Sequence, residues 1–170
     1  MPGPILNGER VRLRPLAESD LPRLLEILRE QGVSEWWPDY DMVRLRADTF
    51  EAADATSLAV DLEGSLIGLI MYTQEAEPHY RSASIDIALD VGCTGQGLGT
   101  DALRTLSRHL LGSLGHHRLT VDPACANGRA IRAYRKVGFS PVGVMREYEL
   151  GADGTWHDNL LMDMLAGELR

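Results

Sequence analysis

Cysteine is scarce: Cys93 and Cys125 are the two in 170 residues. They sit in no C-x-x-C or metal-ligand spacing, which argues against a disulfide framework or a zinc site, and both read as reduced thiols. Positive charge is also short, with 17 Lys and Arg against 25 Asp and Glu and a formal net charge of -8. A nucleic-acid binder needs the opposite balance to neutralise phosphates, so no nucleic-acid partner is expected. An acidic surface suits solubility or a cationic small molecule. No segment approaches the roughly 18 apolar residues of a membrane span. The opening "MPGPILNGERVRLRP" lacks the basic and then apolar order of a secretory signal, so the cytoplasm is the expected compartment, with no membrane partner. Repeats and low-complexity segments are absent. His79, His116, His117 and His157 show no metal spacing, so no metal is expected, and no motif supports Ser-His or Cys-His catalysis.

What is present is an ordinary globular chain, 44% apolar and 25% charged, of a length that suits one domain over residues 1-170. "VRLRPL" alternates as a short strand. Leu21, Leu24, Leu25 and Leu28 fall on one face of a helix, with Ser19 or Asp20 as its cap, Pro22 tolerated in the first turn and Gly32 as its stop. A second helix is expected over Val43 to Ala53. "TSLAVDLEGSLIGLIMYT" is two apolar runs about Glu63-Gly64, a β-hairpin pattern. A strand follows near Ala83 to Leu89. Leu103, Leu106, Leu110 and Leu114 then mark a buried helical stripe ended by Gly115. "HRLTVDP" is a strand stopped by Pro123, and Asn127 caps a helix that runs to Val137 and ends at Gly138. Two strands joined through Gly151 to Gly154 complete the chain. Antiparallel strands followed by a strand, helix, strand, helix, strand unit give a mixed α/β class around a central sheet.

Between the Ala83 strand and the next helix lies "TGQGLGT", with Gly95, Gly97 and Gly99 at alternate positions. Glycines admit positive φ and let a ligand approach the backbone, and the first amides of a helix lack intrahelical partners at the positive end of the dipole. Together they make an anion site, for which phosphate is the usual occupant. A Walker A loop needs Lys before Ser or Thr, and here Leu98 and Gly99 precede Thr100. A dinucleotide fingerprint needs G-x-G-x-x-G, and this run is G-x-G-x-G.

"TGQGLGTDAL" followed by "ANGRAIRAYRKVGF" resembles the two signature segments of the GNAT superfamily of acyl-CoA N-acyltransferases. The first matches the Q/R-x-x-G-x-G/A turn and the second the N-x-x-A-x-x-x-Y-x-x-x-G-F helix. The resemblance covers nearly the whole chain and implies the GNAT fold, a central, mostly antiparallel mixed sheet flanked by about four helices. It departs at Thr94, where the family has Arg or Gln; the contacts in this motif come mostly from backbone amides. Within the superfamily, "VSEWWPD" and "VDPACANGRAIRAYRKVGF" are similar to segments of the aminoglycoside 6'-N-acetyltransferases, although an E-W-W segment also occurs in siderophore and lysine-type N-acyltransferases. The tail "VMREYELGADGTWHDNLLMDML" instead looks like the ending of enzymes that acetylate protein N-termini or polyamines.

The resemblance implies acetyl-CoA as co-substrate and a small-molecule amine as acceptor, in a monomer or homodimer. It implies that Thr94, Gly95, Gln96, Gly97, Leu98, Gly99 and Thr100 hold the pyrophosphate, with Leu89, Val91, Asn127, Arg129, Ala130 and Tyr134 along the rest of coenzyme A. The acyl arm would lie between Ile85 to Leu89 and Leu119 to Asp122, its carbonyl polarised by backbone amides near Leu89 and Asp90. Tyr134 takes the position of a general acid facing the sulfur, but it also belongs to a helical stripe with Ile131 and Val137. Asp86 and Asp122 match carboxylate positions that could hold an ammonium and accept its proton; the solvent side of a strand and a turn before Pro123 are their plainer accounts. Asn127 is equally an N-cap, and Arg129 and Lys136 are equally solvated helix charges. Glu35, Trp36 and Trp37 fall where the acceptor site begins, and two adjacent tryptophans cannot both face one core from a regular element. Asp153, with Glu75, Glu77 and Asp158, adds loop acidity. The acceptor alternatives are a protein N-terminus, a polyamine or a siderophore-type amine. A coenzyme A binder without catalysis is the reading from another class, kept open by Thr94.

Overall fold

The computed structural model describes residues 3–170. Its centre is set by the apolar run "SLIGLIMY", which the alternation of a strand sends to opposite faces: Leu69 packs into one core cluster and Ile70 into another. A strand covered on both faces reads as a near-continuous hydrophobic run.

Eight strands form one sheet in the order β1-β2-β3-β4-β5-β6-β8-β7. They are β1 (Leu6–Asn7), β2 (Arg12–Pro15), β3 (Ala55–Leu62), β4 (Ser65–Glu75), β5 (Ser82–Leu89), β6 (Arg118–Val121), β7 (Ser140–Leu150) and β8 (Trp156–Leu165). Every neighbouring pair is antiparallel except β5 with β6. The β3–β4 hairpin turns at Glu63 (φ 52°) and Gly64 (φ 85°), and the two positive angles match the twist of the strands. The Gly64 amide donates to Oδ1 of Asp61 at 2.8 Å, closing the turn.

Helices α1 (Leu21–Arg29) and α2 (Met42–Arg46) cover one face, and α3 (Leu98–Arg108) and α4 (Gly128–Val137) the other. On α1 the buried stripe is Leu21, Leu24, Ile27 and Leu28, with Leu25 only partly covered. Of the two expected caps, Asp20 holds the position without the bond; its carboxylate accepts from the Ala17 amide at 2.8 Å and pairs in a two-pronged contact with Arg14 at 2.8 and 2.9 Å. A guanidinium fork on a half-buried carboxylate outcompetes a solvent-facing cap. Helix α2 is capped by Asp41, which accepts from the Arg44 amide at 2.8 Å, and it continues as a π-type turn over Ala47–Glu51.

On the other face, α3 runs on as a π-type turn over His109–Ser113, just short of Gly115 at φ 66°. Asp101 in the first turn of α3 accepts from the amides of Glu9, Arg10 and Val11 at 3.0, 2.8 and 2.9 Å. Those three bonds tie the start of β2 to the helix. The same segment sends Arg10 to the carbonyl of Gln96 at 2.6 Å.

The feature that makes room for a site is the parting of β5 and β6. They pair at Ala83 with Leu119 and at Ser84 with Thr120, and no further. Beyond that point Ile85 to Leu89 keep their β4 partners while β6 ends at Val121 ahead of Pro123. A wedge therefore opens between the two strands, with α3 and α4 starting at its mouth.

Candidate active site

The wedge is a cleft of about 1410 Å³. One end is built from the glycine turn. Asp90 accepts from the Gly92 amide at 2.7 Å and Thr94 Oγ1 donates to the Val91 carbonyl at 2.8 Å, which folds the chain back before the helix. Gly97 then takes φ 80° as the N-cap of α3, a left-handed conformation that costs other residues roughly 1–2 kcal/mol. The Asp101 amide is the first there to bond back into the helix, to the Gly97 carbonyl at 3.0 Å, so the amides just before it have no helical acceptor. Thr94, Gly95, Gly97, Gly99 and Thr100 line the cleft, with open space around the Cβ positions of Gly95 and Gly97.

Across from this turn, α4 presents Arg129, Arg132 and Lys136, with Asn127 and Ala130 at its start. Asn127 is a true cap, accepting from the Ala130 amide at 3.2 Å while lining the cleft. Arg129 donates to Thr94 Oγ1 at 3.2 Å. The position that departs from the family motif thus carries a guanidinium supplied by the neighbouring helix. Bare amides at a helix start and three cations form a donor set that fits a pyrophosphate.

Three residues expected along this surface do not line the cleft. Leu98 is buried in the core beneath it. Gln96 turns away, donating to the Gly92 carbonyl at 2.8 Å, and the Val91 amide donates to Glu30 at 2.8 Å. The Asp90 amide is likewise engaged, with the Ile67 carbonyl at 2.8 Å. Leu89 does line the wall.

The other end is acidic. Asp86 on β5, Asp122 just past β6 and Glu149 on β7 all face the cleft. Asp86 is open to the cleft itself but enclosed by protein on its other sides, and that enclosure, reinforced by the charges of Asp122 and Glu149, pushes its carboxyl up to about 6. Burial also raises Asp122, with Glu149 adding to the effect, while the Tyr148 hydroxyl opposes it from beside the carboxylate. Tyr134 on α4 is 6% exposed, its ring edge-on to Phe139 at 5.8 Å between centroids, and still reaches the cleft wall. Burial, then the charges of Asp86 and Asp122, raise its phenol and keep it protonated. The core role and the site role expected for Tyr134 are therefore compatible.

Glu35, Trp36 and Trp37 form the wall between α1 and α2, Trp37 tilted against Tyr40 at 5.9 Å. Asp153 lines the cleft from the β7–β8 loop. His157, followed by Thr155, binds its carboxylate and holds it down at about 2, with His157 Nε2 at 2.9 Å.

Several cleft residues were not anticipated: Arg132, Tyr148, Glu149, Trp156 and Asn159. Arg132 could have been found, because Arg129, Arg132 and Lys136 repeat at i, i+3, i+7 on one helix face. Tyr148 and Glu149 are adjacent strand residues that should point oppositely. A bulge between Met145 and Glu149 undoes that rule; Glu147 takes φ 48° there and its amide donates to Asp158 at 2.8 Å. Nothing in the local sequence signals it. Among the described residues no group of three His, Cys, Asp or Glu side chains gathers as a metal site, and no helix is long and apolar enough to cross a membrane.

Comparison with known proteins follows the same lines. The acetyltransferase (GNAT) domain profile matches residues 10–140. Aminoglycoside N(6')-acetyltransferase type 1 of Klebsiella pneumoniae is 28% identical over 158 residues, covering 82% of this chain and 78% of that protein. Spermidine N(1)-acetyltransferase of Escherichia coli K12 is 26% identical over 149 residues, covering 84% and 80%. In fold, Mycobacterium smegmatis RimJ in complex with CoA-disulfide agrees with a TM-score of 0.84 at 24% identity, over 98% of this chain and 89% of that one. Spermidine N-acetyltransferase from Vibrio cholerae in complex with CoA and spermine gives 0.80 at 20% identity, over 94% and 97%.

Proposed function

We infer that this chain, which belongs to the GNAT acetyltransferase family and is an acyl-CoA-dependent N-acetyltransferase, acetylates a primary amine of a cationic small molecule such as an aminoglycoside. The family uses acetyl-CoA, and the turn at Thr94 to Thr100 with Arg129, Arg132 and Lys136 offers the amides and cations its phosphates require.

The observation that carries the acceptor reading is the acidic end of the cleft. Asp86 and Asp122 face it without a cationic partner within 4.0 Å among the described residues, whereas carboxylates elsewhere, such as Asp20 and Asp163, are paired with arginines. An incoming ammonium supplies the missing charge. Acyl transfer then needs the ammonium to lose one proton, the neutral amine to attack the thioester carbonyl, and the tetrahedral intermediate to shed a second nitrogen proton as it expels the thiolate, which takes a proton in turn. Asp86, poised near neutrality, accepts the ammonium proton. The Tyr134 hydroxyl, kept protonated by its surroundings, gives its proton to the thiolate and is restored by the second proton that leaves the nitrogen. Asp122 holds the acceptor through charge, and Trp36 and Trp37 shape the wall against which it lies.

The test is release of free thiol from acetyl-CoA with a panel of amines: an aminoglycoside, a polyamine, a peptide α-amine and an uncharged-chain alkylamine. The aminoglycoside is expected to give the highest kcat/KM, and a higher value for the polyamine or the peptide moves the acceptor to that class. Tight coenzyme A binding with no turnover of any amine would replace the enzyme with a coenzyme A-binding module.

A further inference from the structure

A continuous line of hydrogen bonds runs from the cations of α4, through the glycine turn, to the tryptophan wall. Arg129 donates to Thr94 Oγ1 at 3.2 Å, and that hydroxyl donates onward to the Val91 carbonyl at 2.8 Å. A hydroxyl can accept and donate at once, which an arginine in its place could not. The Val91 amide then donates to Glu30 Oε2 at 2.8 Å. Glu30 is the C-cap of α1, so its side chain ties the end of that helix to the one-turn helix Val91–Cys93 that leads into the glycines.

From Glu30 the line continues along the main chain. Its carbonyl accepts from the amides of Val33 and Ser34 at 3.0 Å each, and the Val33 carbonyl accepts from those of Trp36 and Trp37 at 2.9 and 3.0 Å. The wall therefore hangs by two successive turns from the residue that holds Val91. Arg23 braces the same junction, with Glu26 at 3.1 Å, Glu30 at 3.8 Å and Asp90 about one guanidinium. Arg23 is 42% exposed, where a single ion pair contributes little, whereas a main-chain amide on a carboxylate is a charge-assisted bond. Acyl transfer requires both reactants in place at once. Here the wall for one reactant is suspended from the turn that takes the other.

We propose that Glu30 is a positioning residue that couples the two ends of the cleft, so that filling the glycine turn with coenzyme A fixes the tryptophan wall against which the acceptor lies. The proposal rests on the acetyltransferase reading above. Glu30 acts through Val91 on one side and through Val33 on the other, and Thr94 is the link between Val91 and the cation of α4.

Hydrogen exchange read by mass spectrometry tests this, with coenzyme A as the probe. In the wild-type protein, saturating coenzyme A should slow exchange of the amides from Gly92 to Thr100 and, by about fivefold or more, of those from Val33 to Trp37. Glu30→Ala should keep the first protection and lose the second, with coenzyme A affinity unchanged by calorimetric titration. Glu30→Gln retains an oxygen for the Val91 amide and should behave as the wild type, and Thr94→Val cuts the line one link earlier and should also lose protection from Val33 to Trp37. In turnover, Glu30→Ala should raise the KM of the amine used best by about fivefold with kcat held. Protection of the wall that survives in Glu30→Ala, its absence from the wild type, or an unchanged amine KM overturns the coupling and leaves the transferase reading intact. No protection of either stretch in the wild type overturns both.

Discussion

Asn159 donates its side-chain amide to the carbonyl of Asp122 at 2.8 Å, joining β8 to a stretch of chain that has already left the sheet. The β6–β8 ladder stops at Val121 with Met162, and the residues after it would otherwise drift. Instead the Leu160 amide reaches the Pro123 carbonyl at 2.8 Å and the Cys125 amide the Asp158 carbonyl at 2.9 Å. The wall that carries Asp122 is thus held by β8 rather than by its neighbour across the cleft.

The first prediction concerns the helix start. Gly97→Val places a branched side chain at φ 80°, a conformation it adopts with strain, and projects it into the open space before the amides. Coenzyme A affinity should fall at least tenfold by calorimetric titration. Unchanged affinity would remove the phosphate role from this turn.

Tyr134→Phe keeps the ring and its edge contact with Phe139, so the melting temperature should hold. Turnover should drop by about tenfold or more, since a positioned acid contributes roughly 10² to 10⁴. A wild-type kcat would leave Tyr134 a purely structural residue.

Asp86 has a sign that can be worked out. Its folded carboxyl is raised to about 6 from an ordinary 3.8, so the folded protein binds the proton more tightly than the unfolded chain. Stability therefore falls as pH rises between those values, and the ionised group is a net burden above them. Asp86→Asn should melt higher than the wild type near pH 7.5, with the advantage gone by about pH 4. The same variant should lose the acid limb near pH 6 in kcat/KM together with most activity. A variant that melts lower at pH 7.5, or keeps that limb, would contradict the assignment.

Asp101→Asn probes the tie between α3 and the start of β2. The carboxylate serves three backbone donors, and an amide offers one oxygen while turning a second donor on them. Chemical denaturation should show a loss of about 1–3 kcal/mol. A variant as stable as the wild type would mean that the three amides find other acceptors.

Much of this architecture is legible in the sequence because it follows from periodicity. The stripe of α1, the Glu63-Gly64 hairpin and the Gly97 helix start each depend on residues close together in the chain. The acidic end of the cleft is different. Asp86 and Asp122 come into view through resemblance, but Glu149 faces the same space only because a bulge shifts its register, and that shift depends on how β7 lies along β8. Val91 and Gln96 differ in the other direction, since neither lines the cleft. The resemblance assigns both to coenzyme A, yet the Val91 amide is taken by Glu30 of the loop after α1 and the Gln96 side chain by its own turn, at 2.8 Å each.

The parting of β5 and β6 after Ser84 and Thr120 can also be described as a sheet with one strand left out. The gap is bordered by main chain on both sides, and an extended ligand with amides of its own could complete the ladder there much as a peptide extends a sheet edge. Recognition of that kind reads backbone rather than side chains. Altering the amides of the ligand would then be a sharper probe of the wedge than replacing Ile87 or Val121, and a bound ligand would stitch the two halves of the sheet together and protect their amides from hydrogen exchange.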